Sequence, residues 1–144
     1  MNNFGLVVIG AHSGVWLSSL LDEHKDKNIL LVEPVPYNIN LLKENTTKYK
    51  NITIETSAVS EKNEIKKFYY VKHDAVKKLG KHWASGIGSF DKQHILNHKY
   101  KRFMVTDIDI EEIDVQYLTF SNLMEKYSVS SIDLLQIDVE GAEF

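Results

Sequence analysis

Leu6-Val7-Val8-Ile9-Gly10-Ala11-His12-Ser13-Gly14 is the stretch of sequence that decides the fold of this chain. An apolar run stops at Gly10 and an amphipathic segment follows, which predicts a buried strand, a tight glycine turn and a helix. A glycine at each end of the turn allows the backbone to bend sharply or to approach another group closely. The N–H groups of the following helix would point at whatever occupies the mouth of the turn, so we predict a ligand-binding site there.

A second predicted strand, residues 28–32, ends in Glu33, 19 positions after Gly14. Nucleotide-binding α/β units place a carboxylate at about this interval, where it accepts hydrogen bonds from ribose hydroxyls. A dinucleotide fingerprint requires Gly-x-Gly-x-x-Gly, but His12 and Val15 stand at its second and third glycine positions, which disfavours NAD. The Gly-x-x-x-Gly turn suits S-adenosylmethionine, whose amino-acid end needs close backbone approach and no pyrophosphate cradle. For the turn alone, a strand-to-helix connection that binds nothing remains the alternative.

Strands and helices alternate through the first 60 residues. The spacing of apolar residues predicts a helix from Gly14 to His24, capped by Ser13, that buries Trp16, Leu17, Leu20 and Leu21 on one face. A second helix opens near Pro36 and ends near Tyr49, and residues 52–56 form a third strand that closes on residues 57–60. This β-α-β-α-β order implies a parallel sheet with right-handed crossovers.

The second half of the chain does not continue this alternation of strands and helices. The sequence of residues 64–71 is typical of a strand. Residues 72–102 show no sustained hydrophobic periodicity and contain a loop of small residues with Gly86 and Gly88. Alternation of apolar and polar residues predicts one or two strands between Arg102 and Leu118. Thr119 then caps a short helix, and residues 132–137 form a further core strand beside the first one. A loop as long as residues 72–102 is typical of a segment that serves a site, so we expect it to close over the ligand.

Composition restricts the function classes. A chain of 144 residues with 43% hydrophobic residues is long enough for one domain with a buried core. It contains neither a long apolar span nor a signal peptide, so we expect a cytoplasmic protein that does not enter a membrane. The absence of cysteine excludes disulfides, thiolate metal sites and cysteine nucleophiles.

Charge is distributed unevenly along the chain. Residues 72–102 carry eight Lys or Arg residues, whereas residues 103–144 carry ten acidic residues against Lys126 alone. The basic segment is either a solvated face or a flap that favours an anionic acceptor. Nucleic acid is a weaker candidate, because the net charge is −3 and no aromatic-basic RNA-binding motif is present.

Four motifs together resemble the FkbM-type family of S-adenosylmethionine-dependent methyltransferases. They are Val-Val-Ile-Gly-Ala-His-Ser-Gly at 7–14, Leu-Val-Glu-Pro at 31–34, Ser-Ala-Val-Ser at 57–60 and Ile-Asp-Leu-Leu-Gln-Ile-Asp-Val-Glu-Gly-Ala-Glu at 132–143. The resemblance covers nearly the whole chain, and the last motif is its most specific element. It implies a doubly wound, Rossmann-like, mostly parallel sheet and O-methylation of a sugar or of another small hydroxylated metabolite.

The resemblance also assigns residues to the cofactor. The turn would hold the methionine part of S-adenosylmethionine through Gly10, Ala11, His12, Ser13 and Gly14. Glu33, followed by Pro34, would bind the ribose, and Ala58 and Val59 would lie beside the adenine. Asp138 would stand at the tip of its strand, facing both cofactor and substrate.

Asp138, Glu140 and Glu143 are the densest acidic group near a predicted strand tip. A carboxylate there can orient or deprotonate a substrate hydroxyl, and we favour Asp138 for this role, with Glu140 as the second candidate. Glu140 and Glu143 fall at a predicted helix start, where acidic side chains stabilise the helix dipole without any catalytic role. No metal site is expected, because no histidine lies nearby in sequence. His94 and His98 are spaced like a metal pair but more simply form a solvated face.

Two departures from the family pattern support an alternative function. Val8 stands where the family usually has an acidic residue, and the family fold continues for several strands and helices beyond the position of Phe144. We therefore expect the C-terminal strands to be missing and the edge of strand 132–137 to be bare, which would favour self-association. The alternative is a non-catalytic nucleotide-binding or interaction module, or an inactive fragment.

Overall fold

The computed structural model describes residues 2–74, 88–89, 92, 99–100, 103–104 and 110–138. In chain order its strands are β1 (Asn2–Ile9), β2 (Asn28–Val32), β3 (Ile52–Glu55), β4 (Ala58–Val59), β5 (Glu64–Val71), β6 (Gly88–Ser89), β7 (Lys99–Tyr100), β8 (Phe103–Met104), β9 (Ile110–Leu118) and β10 (Val129–Ile137). The helices are α1 (Ser18–His24), α2 (Pro36–Asn45) and α3 (Phe120–Lys126), and a 3₁₀ turn (Val15–Leu17) precedes α1.

The main sheet contains four parallel strands in the order β10-β1-β2-β3. This arrangement confirms the predicted parallel sheet and the place of the last core strand beside the first one. Ile9 pairs with Val32 on one side and with Ile137 on the other, so β1, β2 and β10 end at the same edge of the sheet. The residues that follow these three strands are thereby brought together.

Helices cover both faces of the main sheet. Leu17, Leu21 of α1 and Leu42 of α2 pack against one face, whereas Leu123 of α3 packs against the other. β1 and β2 therefore lie in the core with continuous apolar runs rather than alternating ones, as expected for parallel strands that are buried on both sides. The predicted α/β class and mostly parallel sheet are confirmed in the described residues.

The first helix begins differently from the prediction. Its first turn is the 3₁₀ turn, which follows Gly14 in the left-handed conformation, and no side chain caps it, so the assignment of Ser13 as the N-cap is wrong. Leu17 and Leu21 are buried as predicted, but Trp16 is 83% exposed. The reason is geometric, because a 3₁₀ turn advances more degrees per residue than an α-helix and so aims Trp16 away from the apolar stripe.

The second helix is shorter than predicted and ends at Asn45 rather than near Tyr49. The Thr46 hydroxyl donates a hydrogen bond to the Leu42 carbonyl, and the Tyr49 N–H bonds to the Thr46 carbonyl in a separate turn. A threonine hydroxyl that bonds back to the preceding turn competes with helix continuation, and this explains the early end.

A second sheet, in the order β4-β9-β5-β6, packs beside the first. β5 and β9 are antiparallel over eight residue pairs, from Glu64–Tyr117 to Val71–Ile110. The strand predicted at residues 64–71 is confirmed, and β9 provides the predicted strand before Leu118. The inner side chains of this sheet, which include Ala58 of β4, form a cluster with Val35. This cluster links the second sheet to the ends of the main-sheet strands.

Most of the basic segment lies outside the described residues, and so do Gly86, His94, His98, Glu140 and Glu143. The predictions of a closing flap and of a solvated histidine pair therefore stay predictions. Within the part of the chain that is described, no helix is long and apolar enough to cross a bilayer. In the same part, no strand pairs with the outer edge of β10, where Leu134 and Leu135 are each more than a third exposed.

Candidate functional site

β1 and β10 end side by side at one edge of the main sheet, and in open parallel sheets a crevice lies outside such strand ends. From β1 the chain proceeds outward to β2 and β3 on one side, and it later returns to place β10 on the other side. This reversal is a topological switch point, the place where ligands bind in open parallel sheets. Gly10, Glu33 and Asp138 follow the three strands that meet there, and the Asp138 N–H donates to the Ile9 carbonyl at 2.8 Å.

The glycine turn is held in a strained backbone conformation. Gly10, His12 and Gly14 all have positive φ, at 88°, 53° and 81°. The N–H groups of Gly10 and Ala11 both donate to the Val32 carbonyl, which joins the turn to the end of β2. A histidine with positive φ is uncommon, so the turn is maintained by its surroundings rather than by local preference.

Helix α2 fixes the far end of the turn. Gly14 has a φ of 81°, a conformation that favours glycine, and a Cβ atom there would also lie 2.6 Å from Cδ1 of Leu42, so that the Leu42 side chain would have to shift. Asn45 donates a side-chain hydrogen bond to the Ser13 carbonyl at 2.7 Å. The close approach predicted at Gly14 is thus an approach to α2, and the Ala11 side chain is likewise buried in the cluster beneath it.

Glu33 is the central acidic group of the site and is only 2% exposed. Its carboxylate accepts the His12 N–H at 2.8 Å and the Val35 N–H at 3.0 Å, and the Asn38 side chain also hydrogen-bonds to it. Burial raises the pKa of Glu33, and the nearby His12 and these hydrogen bonds offset only part of the increase. Sequence reasoning found Glu33 but missed the buried Asn38, whose signal is its position four residues before Leu42 on the inner face of α2.

The chemistry of this acceptor group fits a ribose. A carboxylate offers about four lone-pair positions, and the hydrogen bonds from His12, Val35 and Asn38 leave room for a hydroxyl donor. An additional hydrogen bond would also stabilise the charge of a buried carboxylate whose pKa is raised. Strongly perturbed acids in a crevice are typical of functional sites.

His12 lies between two carboxylates from different strands. Its Nδ1 is 3.7 Å from Oε1 of Glu33, and its Nε2 is 3.5 Å from Oδ2 of Asp138. Glu33 is buried, whereas the Asp138 side chain is 63% exposed at the mouth of the crevice. Among the described residues, no group of three His, Asp or Glu side chains has an arrangement that would hold a metal ion.

The remaining predicted cofactor residues surround this centre at different depths. Pro34 is half-buried between Glu33 and Val35, and Ala58 and Val59 form the buried strand β4. Ala58 packs in the cluster of the second sheet, whereas Val59 packs in the cluster on the α3 face of the main sheet. Their contact with adenine stays a prediction.

Val8 does not face the crevice. It is fully buried among the side chains between the main sheet and helices α1 and α2, in the cluster that contains Leu21 and Leu42. The valine at this position therefore contributes to the core.

Glu55 is a second buried acid at a strand end, and its structural role was missed in the sequence. Its position is similar to that of Glu33, because Glu33 directly follows β2 and Glu55 is the last residue of β3, and the Glu33 N–H donates to the Glu55 carbonyl at 3.0 Å. The Glu55 carboxylate accepts hydrogen bonds from Ser57, Lys126 and Tyr127, so it joins β3 to the end of α3. Burial alone would raise the pKa of Glu55, but these hydrogen bonds lower it to about 2.

Tyr37 connects the site to the second sheet and was also missed. Its hydroxyl donates to the Val71 carbonyl at 2.7 Å, and its ring stacks on His73 with centroids 4.5 Å apart. Burial, and to a lesser extent the charge of Glu33, raises the pKa of Tyr37. Nothing in the local sequence identifies this contact, because it joins the first turn of α2 to residues more than 30 positions away.

Comparison with known proteins agrees with the geometry. No curated protein and no solved structure is significantly similar to the chain. A family model described as the methyltransferase FkbM domain matches residues 9–144, which include the glycine turn, Glu33 and Asp138. The chain therefore belongs to the FkbM methyltransferase domain family.

Proposed function

We propose that this chain binds S-adenosylmethionine in the crevice between β1 and β10 and transfers its methyl group to an oxygen atom of a small hydroxylated acceptor, such as a sugar. The observation that carries the proposal is the buried Glu33 carboxylate, which fixes the glycine turn and retains the capacity to accept a hydroxyl hydrogen bond. Membership of a methyltransferase family favours this function over a non-catalytic nucleotide-binding or interaction module.

The cofactor would be held by groups that surround Glu33. Gly10, Ala11, His12, Ser13 and Gly14 would contact its methionine part, Glu33 and Pro34 its ribose, and Ala58 and Val59 its adenine. When bound, S-adenosylmethionine supplies a methyl group made electrophilic by the positive sulfonium. The carboxylates of Glu33 and Asp138 would contribute negative charge to the site, which would favour the positively charged cofactor.

Asp138 is the group that we propose to receive the acceptor proton. A hydroxyl becomes a better nucleophile when a carboxylate within hydrogen-bond reach accepts its proton. The Asp138 carboxylate is exposed at the crevice, and its backbone is fixed to the end of β1 by the hydrogen bond to Ile9. Glu140, the second catalytic candidate, lies outside the described residues.

Calorimetric titration with S-adenosylmethionine, S-adenosylhomocysteine and NAD tests the proposal. We expect both sulfur compounds to bind at one site and NAD not to bind. Glu33→Gln should weaken the binding of S-adenosylhomocysteine more than tenfold, because a charged hydrogen bond contributes about 1.5–3 kcal/mol. Glu23→Gln, which alters an exposed carboxylate on α1, is the matched control and should leave affinity unchanged. Binding of NAD alone, or of none of the three compounds, would contradict the proposal.

A further inference from the structure

Asp138 lies at the end of β10, and its side chain is exposed. The contact with His12 therefore affects the orientation of the Asp138 carboxylate. A short exposed carboxylate at a strand end samples several rotamers unless a partner holds it. Nε2 of His12, at 3.5 Å from Oδ2 of Asp138, is the partner that the structure provides. His12 is itself anchored from the other side by Glu33, through its backbone N–H at 2.8 Å and the approach of Nδ1 at 3.7 Å.

The backbone of His12 points to the same conclusion. His12 adopts a φ of 53° between two glycines that also have positive φ. Such a conformation costs a non-glycine residue free energy, and strain of this kind concentrates at functional sites. The strained conformation puts the imidazole between a buried acid on one strand and an exposed acid on another.

We infer that His12 is a positioning residue, whose imidazole holds the Asp138 carboxylate at the mouth of the crevice in the orientation that receives the acceptor proton. The inference rests on the proposed function. Both ring nitrogens lie near carboxylates, at 3.7 Å from Glu33 and 3.5 Å from Asp138, so the role that the geometry supports for His12 is to orient the base. In the reaction, the hydroxyl proton passes to Asp138 while the acceptor oxygen bonds to the methyl carbon. The carbon–sulfur bond breaks, and its electron pair stays on sulfur to leave a neutral thioether.

Nuclear magnetic resonance of the free protein tests the inference. Three-bond couplings between the Hα and Hβ protons of Asp138 report whether its side chain occupies one rotamer. We expect unequal couplings in the wild type and averaged couplings in His12→Asn, because asparagine tolerates the positive φ but lacks the ring. His12→Gln, whose longer side chain carries its amide donor farther from the backbone than asparagine does, should restore part of the difference. Averaged couplings in the wild type, or unequal couplings in His12→Asn, would overturn the inference.

A second measurement tests the same contact by changing Asp138 and observing His12, so it does not require the His12 variants to fold. We expect Asp138→Asn to shift the imidazole Nε2 resonance of His12. The matched control is Asp133→Asn, on the same strand, because Asp133 pairs with Lys27 instead. An Nε2 resonance unchanged in Asp138→Asn would contradict the inference. Neither measurement uses a ligand, so a failure of S-adenosylhomocysteine to bind would overturn the proposed function separately.

Discussion

Glu33→Ala is expected to lower the free energy of unfolding by about 2–4 kcal/mol, because it leaves one buried and one partly buried backbone N–H group without their acceptor. These are the N–H groups of His12 and Val35, at 2.8 and 3.0 Å from the carboxylate. The substitution also removes a buried charge, whose burial is unfavourable, and this offsets part of the loss of stability. Urea denaturation followed by circular dichroism measures the change. The same acid thus serves the fold and the proposed cofactor site.

Glu33→Gln separates the two roles of this residue. The amide keeps one acceptor oxygen and removes the charge whose burial is unfavourable, so we expect a smaller loss of stability than in Glu33→Ala. Affinity for S-adenosylhomocysteine should still fall more than tenfold in the glutamine variant. Wild-type stability in Glu33→Ala would show that the glycine turn does not depend on Glu33.

Glu55→Gln is expected to destabilise the protein by about 3 kcal/mol at neutral pH and by progressively less as the pH falls below 4.5. The hydrogen bonds from Lys126, Ser57 and Tyr127 more than offset the effect of burial and lower the pKa of Glu55 from 4.5 to about 2. A carboxylate with a lowered pKa contributes stability that is fully present above its unfolded pKa and is lost as the pH falls through its folded pKa. A shift of this size corresponds to about 3 kcal/mol.

Denaturation of the wild type and of Glu55→Gln at several pH values between 7 and 2 checks this expectation. The difference in unfolding free energy should be constant above pH 4.5 and should shrink between pH 4.5 and 2. Glu61→Gln is the matched control, because Glu61 is exposed in the turn after β4. A difference for Glu55→Gln that does not vary with pH would mean that the carboxylate charge does not stabilise the link between β3 and α3.

The main sheet was predictable because its signals are local. β1 and β2 are continuous apolar runs that end at a glycine and at a glutamate, and each occupies the core as such runs do in parallel sheets. The positions of Gly10, Glu33 and Asp138 at three adjacent strand ends follow from strand order and register alone. The family assignment depended on these same positions.

The second sheet and several site contacts were not predictable, because they join distant residues. β4 has only two residues, and its partner β9 begins about 50 positions later. The environment of Glu55 depends on Lys126 and Tyr127, which lie more than 70 positions away and which no periodic pattern connects to it. The exposure of Trp16 depends on a single 3₁₀ turn, a change too local for helical periodicity to reveal.

Amide chemical-shift mapping during titration with S-adenosylhomocysteine tests the central claim most directly. The claim predicts that the largest changes fall on three groups of residues around the crevice, namely residues 10–14, residues 33–35 and Asp138, with smaller changes at Ala58 and Val59. Amides in the middle of β5 and β9 should not move. Largest changes in the second sheet, or no change anywhere at saturating ligand, would contradict the claim that this crevice binds the cofactor.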